Sequence, residues 1–248
     1  MTLDDNQQQR PTQARFATTQ WSVVLAAGDQ AGSHCAEALQ TLCQTYWFPL
    51  YAYARQHGHQ AQDAEDLTQT FLAKLIERNL AQVADRGRGR FRSFLLTSFK
   101  HFMADQRDRA RTRKRGGQVR IFSLDFDAAE TRYQREPGHD TTAEAIFERR
   151  WAMTVLDTVF TKLRDQYAAD GKSELFGQLK PCLTQAGSVI PYAELAVQLS
   201  LSEGALRVAV HRLRQRYRDL LRTEIAQTVA DPSYVEDEIR HLFQVLAR

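Results

Sequence analysis

Residues 192–217 read YAELAVQLSLSEGALRVAVHRLRQRY. Leu195 and Ala196 pair a large with a small apolar residue, and the small one lets a second helix cross closely. Leu199 and Leu201 flank a tight turn at Ser200, and the Ser202 hydroxyl is placed to cap the helix that follows. Leu206, Val210, Leu213 and Tyr217 then recur as the buried stripe of that second helix. The spacing predicts a helix-turn-helix, whose second helix enters the DNA major groove with its N-terminal residues at the bases. An ordinary helical hairpin with charged outer faces carries the same pattern, so the motif alone leaves both readings open.

Helical periodicity continues outward in both directions. Leu39, Leu42, Cys43 and Tyr46 mark one face, Pro49 breaks or kinks that segment, and Gly58 is placed to end it. Leu67, Phe71 and Leu75, with Leu72, Ile76 and Leu80, mark a second helix; Phe91, Phe94, Leu95, Phe99, Phe102 and Met103 mark a third. The pattern fades between Gly116 and Thr142, where Gly, Pro, Asp and Thr collect around a short apolar clip at Ile121–Leu124. It resumes at Phe147, Trp151, Val155 and Val159, with Ala152, Leu156, Phe160 and Leu163 one step round. A short helix is expected near Leu175–Leu183, stopped around Pro181, then one over Tyr192–Leu199 and one from Glu203 to about Val229. Val235, Ile239, Leu242, Phe243 and Leu246 make the tail after Pro232 an amphipathic helix that docks.

The expected architecture is all-α, with two helical lobes joined by a linker and the second lobe holding the helix-turn-helix. In residue numbers this is a disordered N-terminus 1–15, a helical domain 16–115 and a linker 116–146. A second domain 147–230 follows, with the helix-turn-helix at 192–217, and then a helical extension 231–248. No internal repeat is present.

Composition narrows the classes. With 43% hydrophobic and 25% charged residues the 248-residue chain has enough apolar material for a proper core, which argues against wholesale disorder. Glycine and proline are too scarce for collagen-like or loop-rich all-β chains. Apolar runs such as Val23–Ala27 are far shorter than the roughly 18–20 residues a bilayer span needs. The Gln- and Asp-rich stretch Met1–Arg15 has no apolar core, so no signal peptide is expected. Cys35, Cys43 and Cys182 are odd in number and lack Cys-x-x-Cys spacing, which favours free thiols in a reducing cytoplasm over disulfides or a zinc site. Cys35 and Cys43 read as small gap-fillers on one helix.

The net charge of +3 conceals its distribution. Arg86 to Arg120 holds twelve basic residues against Asp105 and Asp108. Glu203 to Arg222 holds six arginines against Glu203 and Asp219. Together these two segments exceed the net charge of the chain, so the remainder is acidic. Positive charge this dense repels itself unless a polyanion lies beside it, and a phosphate backbone is the obvious one. A solvated helix face is the competing reading for either cluster alone. In the second cluster Arg207 suits guanine and Glu203 suits cytosine, with Ser202 and His211 nearby, while Arg212, Arg214 and Arg218 suit phosphates. In the first, Arg86-Gly87-Arg88-Gly89-Arg90 is a cationic loop feeding a phenylalanine-rich helix, the interleaving that single-stranded nucleic acid calls for. Phe94, Phe99 and Phe102 fit one helical face, so they read as core and leave the loop as the better contact for bases.

Asp63-Ala64-Glu65-Asp66-Leu67-Thr68-Gln69-Thr70-Phe71-Leu72 opens the helix before that loop. Asp63 suits an N-cap, and the acids at 65 and 66 complement the positive end of the helix dipole. A nuclease would use these carboxylates as metal ligands with His57, His59 or the His101/Asp105 pair, but the spacing matches no specific metal motif.

The ordered combination resembles bacterial RNA polymerase sigma factors, in the extracytoplasmic-function group of the sigma-70 superfamily. The Asp-Ala-Glu-Asp-Leu-Thr-Gln-x-Phe stretch, then Arg-Gly-Arg-Phe-Arg-Ser-Phe-Leu and a basic run, is similar to that family's second conserved region. Phe147 through the helix-turn-helix is similar to its fourth. Thr19-Gln20-Trp21-Ser22 and the helical tail resemble a subgroup. The resemblance implies that Asp66 and Gln69, with Glu65, Thr70 and Leu72, face the clamp helices of the largest subunit of core RNA polymerase. It implies that Ala84 to Arg90, including Arg86 and Arg88, captures a flipped base of the promoter −10 element. Arg92, Lys100 and His101 would lie along the melted strand or the adjoining duplex. Ser202 to His211 would read the −35 element. Phe94, His101 and Ser200 stand where the family often has Trp, Asn and Gly. The linker, acidic near Asp125, Asp127 and Glu130, would thread the RNA exit path. No chemistry of its own, no metal and no cofactor are expected. Promoter DNA and core polymerase are the expected partners, and the resemblance leaves room for an anti-sigma factor or other regulatory partner. Two rivals remain open: a stand-alone helix-turn-helix regulator and a metal-dependent nuclease.

Overall fold

The computed structural model describes residues 33–77, 90–112, 130–131, 133–134, 142–184 and 191–247, with side chains from 42 onward in the first helix and to 108 in the third. Helix is the regular structure of every described segment, relieved by one isolated antiparallel bridge between Arg90 and Val229. The segments at 19–22, 84–89, 121–124 and 125–127, with Leu80 and the side chains of Cys35 and Leu39, lie outside that description.

The first helix, α1, runs Ser33–Gln56 straight through Pro49. Proline removes one backbone bond there. The helix survives it because Leu42, Cys43, Tyr46, Leu50, Tyr53 and Ala54 bury around it. Burial pushes the Cys43 thiol up to about 12. The helix ends where Gly58 adopts φ +85°; Gly58 N–H donates to the Arg55 carbonyl and His59 N–H to that of Ala54. This is the double-bonded left-handed ending that relieves the last carbonyls. α2 spans Ala61–Glu77 and α3 spans Phe91–Thr112. Phe91, Leu95 and Phe99 of α3 are fully buried, while Phe94 and Phe102 are half-buried against the same core.

α4, Ala143–Ala169, starts on a Thr142 side chain that accepts from Ala145 N–H and ends at Gly171 in the same left-handed manner as α1. The single short helix expected before residue 184 is two: α5, Ser173–Leu179, and α6, Pro181–Thr184. Pro181 begins the second rather than merely ending the first, since its missing N–H is harmless in a first turn. α7 is Tyr192–Gln198 and α8 is Glu203–Ala226. A 3₁₀ turn at Pro232–Tyr234, capped by the Asp231 carboxylate accepting from Ser233 N–H, leads into α9, Val235–Leu246.

Two hydrophobic clusters organise these helices. The larger joins α1, α2 and α3 to Phe147, Trp151, Val155 and Val159 of α4, Leu221 and Ile225 of α8, and Leu242 of α9. The smaller joins Leu163 and Tyr167 of α4 to Phe176, Leu179, Cys182, Leu195, Ala196, Leu206, Val210 and Leu213. The described core therefore does not divide at 116–146, where the spacing placed the joint between lobes. The reason is the length of α4. Its N-terminal two-thirds packs along α1 and its last turns serve the second cluster, so one helix belongs to both. Two described residues of the expected linker, Glu130 and Tyr133, pack onto α1, while Thr131 and Gln134 are exposed. Glu130 takes a forked pair of bonds from Arg55, at 2.9 Å from Nε and 2.7 Å from Nη2, and accepts from the Tyr51 hydroxyl. Tyr133 lies under the Arg55 guanidinium, 5.1 Å from it.

Candidate nucleic-acid interface

α7 and α8 form a helical hairpin whose buried stripe, turn and cap fall at the residues that the spacing marks for them. Leu195 and Ala196 bury against the inner stripe of Leu206, Val210 and Leu213. Ser200 sits at φ +53°, with its N–H donating to the Val197 carbonyl and Leu201 N–H to that of Ala196. The turn therefore places a serine where the left-handed region favours glycine. Ser202 caps α8 by accepting from Ala205 N–H at 3.2 Å. With the apolar stripe inward, Glu203, Arg207, His211 and Arg212 are all exposed on the outer side. Arg207 Nη2 and Glu203 Oε1 are 2.5 Å apart, one turn from each other. Val208, 49% exposed, shares this face and carries no charge; the charge pattern gave no signal for it.

Arg214, expected to contact phosphate, is exposed and is also bonded within the fold. Its Nε and Nη2 donate to the Cys182 carbonyl at 3.2 and 3.0 Å, tying α8 to α6. A guanidinium so used satisfies a helix-end carbonyl and has fewer donors left for an outside partner.

The first basic cluster is arranged very differently. Arg86 and Arg88 lie outside the described residues. Arg90 Nε is 2.8 Å from Glu238 Oε2. Arg92, assigned to the melted strand by the resemblance, is buried: 2% of its side chain is exposed, its Nε donates to Glu238 Oε1 at 2.6 Å, and it pairs with Glu148. Its guanidinium also lies 4.8 Å from the Trp151 ring. An outward contact from Arg92 does not fit this arrangement, because the residue falls on the apolar face with Leu95, Leu96 and Phe99. Burial would weaken its hold on the proton, but the Glu238 and Glu148 carboxylates outweigh that and raise its basicity further. Lys100 Nζ is 2.7 Å from Glu144 of α4, and His101 is exposed beside it. The three carboxylates Glu144, Glu148 and Glu238 had no place among the residues singled out by sequence. One signal existed: Glu238 stands in the apolar stripe of Val235, Ile239 and Leu242, where a charge needs a partner.

On α2, Ala64, Thr68, Phe71, Leu72 and Leu75 form the inner face. Leu72 is fully buried, so its side chain is core and not the surface contact expected of it. Glu65, Asp66, Gln69 and Thr70 are half-buried on the remaining faces, and Gln69 donates to Glu65 Oε1 at 3.1 Å. Among the described residues no group of three or more His, Cys, Asp or Glu is placed to hold a metal ion. None of the described helices is long and apolar enough to cross a membrane. A scan against protein-family models and searches of curated proteins and of solved structures found no match.

Proposed function

We propose that this chain is a promoter-specificity factor of the sigma type, which brings core RNA polymerase to DNA and performs no chemistry itself. The observation that carries the reading is the outer face of α8, where Glu203, Arg207, Val208, His211 and Arg212 stand exposed at the capped start of a helix. Their chemistry suits base edges for the first residues and phosphates for Arg212. On α2, Glu65, Asp66, Gln69 and Thr70 offer a polar surface to the polymerase clamp helices. The cationic loop through Arg86, Arg88 and Arg90 is the candidate for capturing an unstacked base of the −10 element.

The direct test is a pull-down with core polymerase followed by run-off transcription on a genomic library. The chain should co-purify with core enzyme and redirect transcript starts, and Asp66→Ala with Gln69→Ala should abolish co-purification while helix content is retained. A chain that neither binds core enzyme nor moves start sites refutes the reading.

One observation favours a second reading, a stand-alone regulator of duplex DNA. Arg92 is buried against Glu148 and Glu238 and Lys100 pairs with Glu144, whereas Glu203, Arg207, His211 and Arg212 of α8 stand exposed together. A regulator of that kind would footprint an operator without polymerase and be indifferent to substitution of Gln69.

A further inference from the structure

The base of α3 is stitched to the C-terminal segment by backbone and by charge. Phe91 N–H donates to the Thr228 carbonyl at 3.1 Å, and Arg90 pairs with Val229 in the isolated bridge. Beyond it, Glu238 of α9 reaches both Arg90 and Arg92 and is itself fully buried. Arg90 retains 36% exposure of its side chain, so one guanidinium touches both an internal carboxylate and solvent.

A carboxylate satisfies a guanidinium through the same forked, charge-assisted bonds as a phosphate. Glu238 and an incoming phosphate therefore compete for Arg90. Withdrawal of Glu238 does not strand Arg92, because Glu148 of α4 remains paired with it; the 3.2 Å contact of His241 with Glu148, made from α9 itself, is given up together with Glu238. The departing Glu238 regains water. An opening that leaves no buried charge without a partner avoids the large penalty that usually locks such pairs. α9 is moreover held chiefly by one apolar side, with Asp237, Arg240, Phe243 and Gln244 exposed on the other.

We propose that α9 is a latch: Glu238 holds the base of α3 closed, and Arg90 becomes fully available to a nucleic-acid phosphate when α9 withdraws. The second clause rests on the reading of Arg90 as a nucleic-acid contact.

The test uses the full chain with Glu238→Gln, with Leu242→Ala as a second variant that loosens α9 through packing alone, and with Asp237→Asn as an exposed control on the same helix. Hydrogen exchange reads the latch, and fluorescence anisotropy with a labelled single-stranded DNA oligonucleotide reads its consequence. Glu238→Gln and Leu242→Ala should speed exchange at Phe91 and across 235–246 while α1 and α2 stay protected. Both should tighten oligonucleotide binding by the reciprocal of the open fraction in the parent chain, about tenfold for an open fraction of about one-tenth. Asp237→Asn should change neither readout. Unchanged protection of Phe91 and α9 in both variants overturns the latch. Faster exchange with unchanged oligonucleotide affinity instead overturns the assignment of Arg90 to nucleic acid.

Discussion

Arg92 donates to Glu238, 146 residues further along the chain, with Nε 2.6 Å from Oε1 and both side chains withdrawn from water. Ions buried this completely carry a desolvation cost that becomes large when no partner is left to compensate it. Here the guanidinium has two carboxylates and an aromatic ring, so several favourable terms act on one desolvated group. Arg92→Ala should destabilise the fold by about 3–5 kcal/mol, because Glu148 and Glu238 then share fewer cations. Arg92→Lys should not restore it, since an ammonium lacks the planar fork. Urea denaturation of the three proteins decides the matter; a loss below about 1 kcal/mol is what a solvent-exposed pair would give and would contradict the burial.

Ser200 adopts a left-handed conformation that costs a side-chain-bearing residue roughly 1 kcal/mol or more. Ser200→Gly should therefore raise stability by a few tenths to about 1 kcal/mol, the relief of strain being partly offset by a freer unfolded chain. Ser200→Val should lower it. Thermal melts of the two variants give the sign directly, and a destabilising glycine would mean that the serine side chain does something the turn geometry does not reveal.

Among the described residues, Glu130 and Glu144 contribute to the acid limb. Partial burial pushes Glu130 upward, but the Arg55 fork with donors from Tyr51 and Gln134 outweighs it and holds the carboxyl below its ordinary 4.5. Glu144 is likewise held low, first by the Lys100 ammonium and then by its own helix backbone, with burial opposing. Groups depressed in the folded state contribute stability that is fully present above their unfolded value and is lost as pH falls through the folded one. Stability should thus decline as pH drops below 4.5, and Glu130→Gln or Glu144→Gln should flatten that decline. Unfolding free energies measured at successive pH values from neutral downward would expose an error if the variants kept the parent's slope.

The arginines of α8 separate by geometry. Arg207→Ala should relax preference at one base pair by about 1–3 kcal/mol, and Arg212→Ala should weaken binding evenly across sequences. Arg214→Ala should instead lower the melting temperature, because it removes two donors from the Cys182 carbonyl. Site selection from randomised duplexes, run beside thermal melts, distinguishes the three. An Arg214 variant with unaltered melting and uniformly weaker DNA binding would return that residue to the phosphate set.

Much of the fold was legible because its helices are amphipathic and well punctuated. The α8 stripe, the Ser202 cap, the turn at Ser200 and the end at Gly58 all follow from spacing and local backbone chemistry. What escaped were pairings between distant positions. Arg92 falls at helical spacing from Leu95, Leu96 and Phe99, and Glu238 from Val235, Ile239 and Leu242, so each stands on a face that should be apolar. Two opposite charges misplaced in this way are a hint that they meet, yet neither position names the other. The family resemblance, which places Arg92 along a melted strand, therefore gave it an outward role that its burial against Glu238 and Glu148 does not fit. Leu72 was placed on the surface by family analogy, although its spacing from Ala64 and Thr68 already marked it as core.

α4 contributes to both hydrophobic clusters, and at 27 residues it is about 40 Å long. A rod anchored in two cores makes them one cooperative unit, so neither can melt while the other keeps its full complement of partners. Heat should release a single sharp peak rather than two steps. Cutting the chain near residue 142 would yield not two independent halves but an N-terminal piece with an open wound along α1.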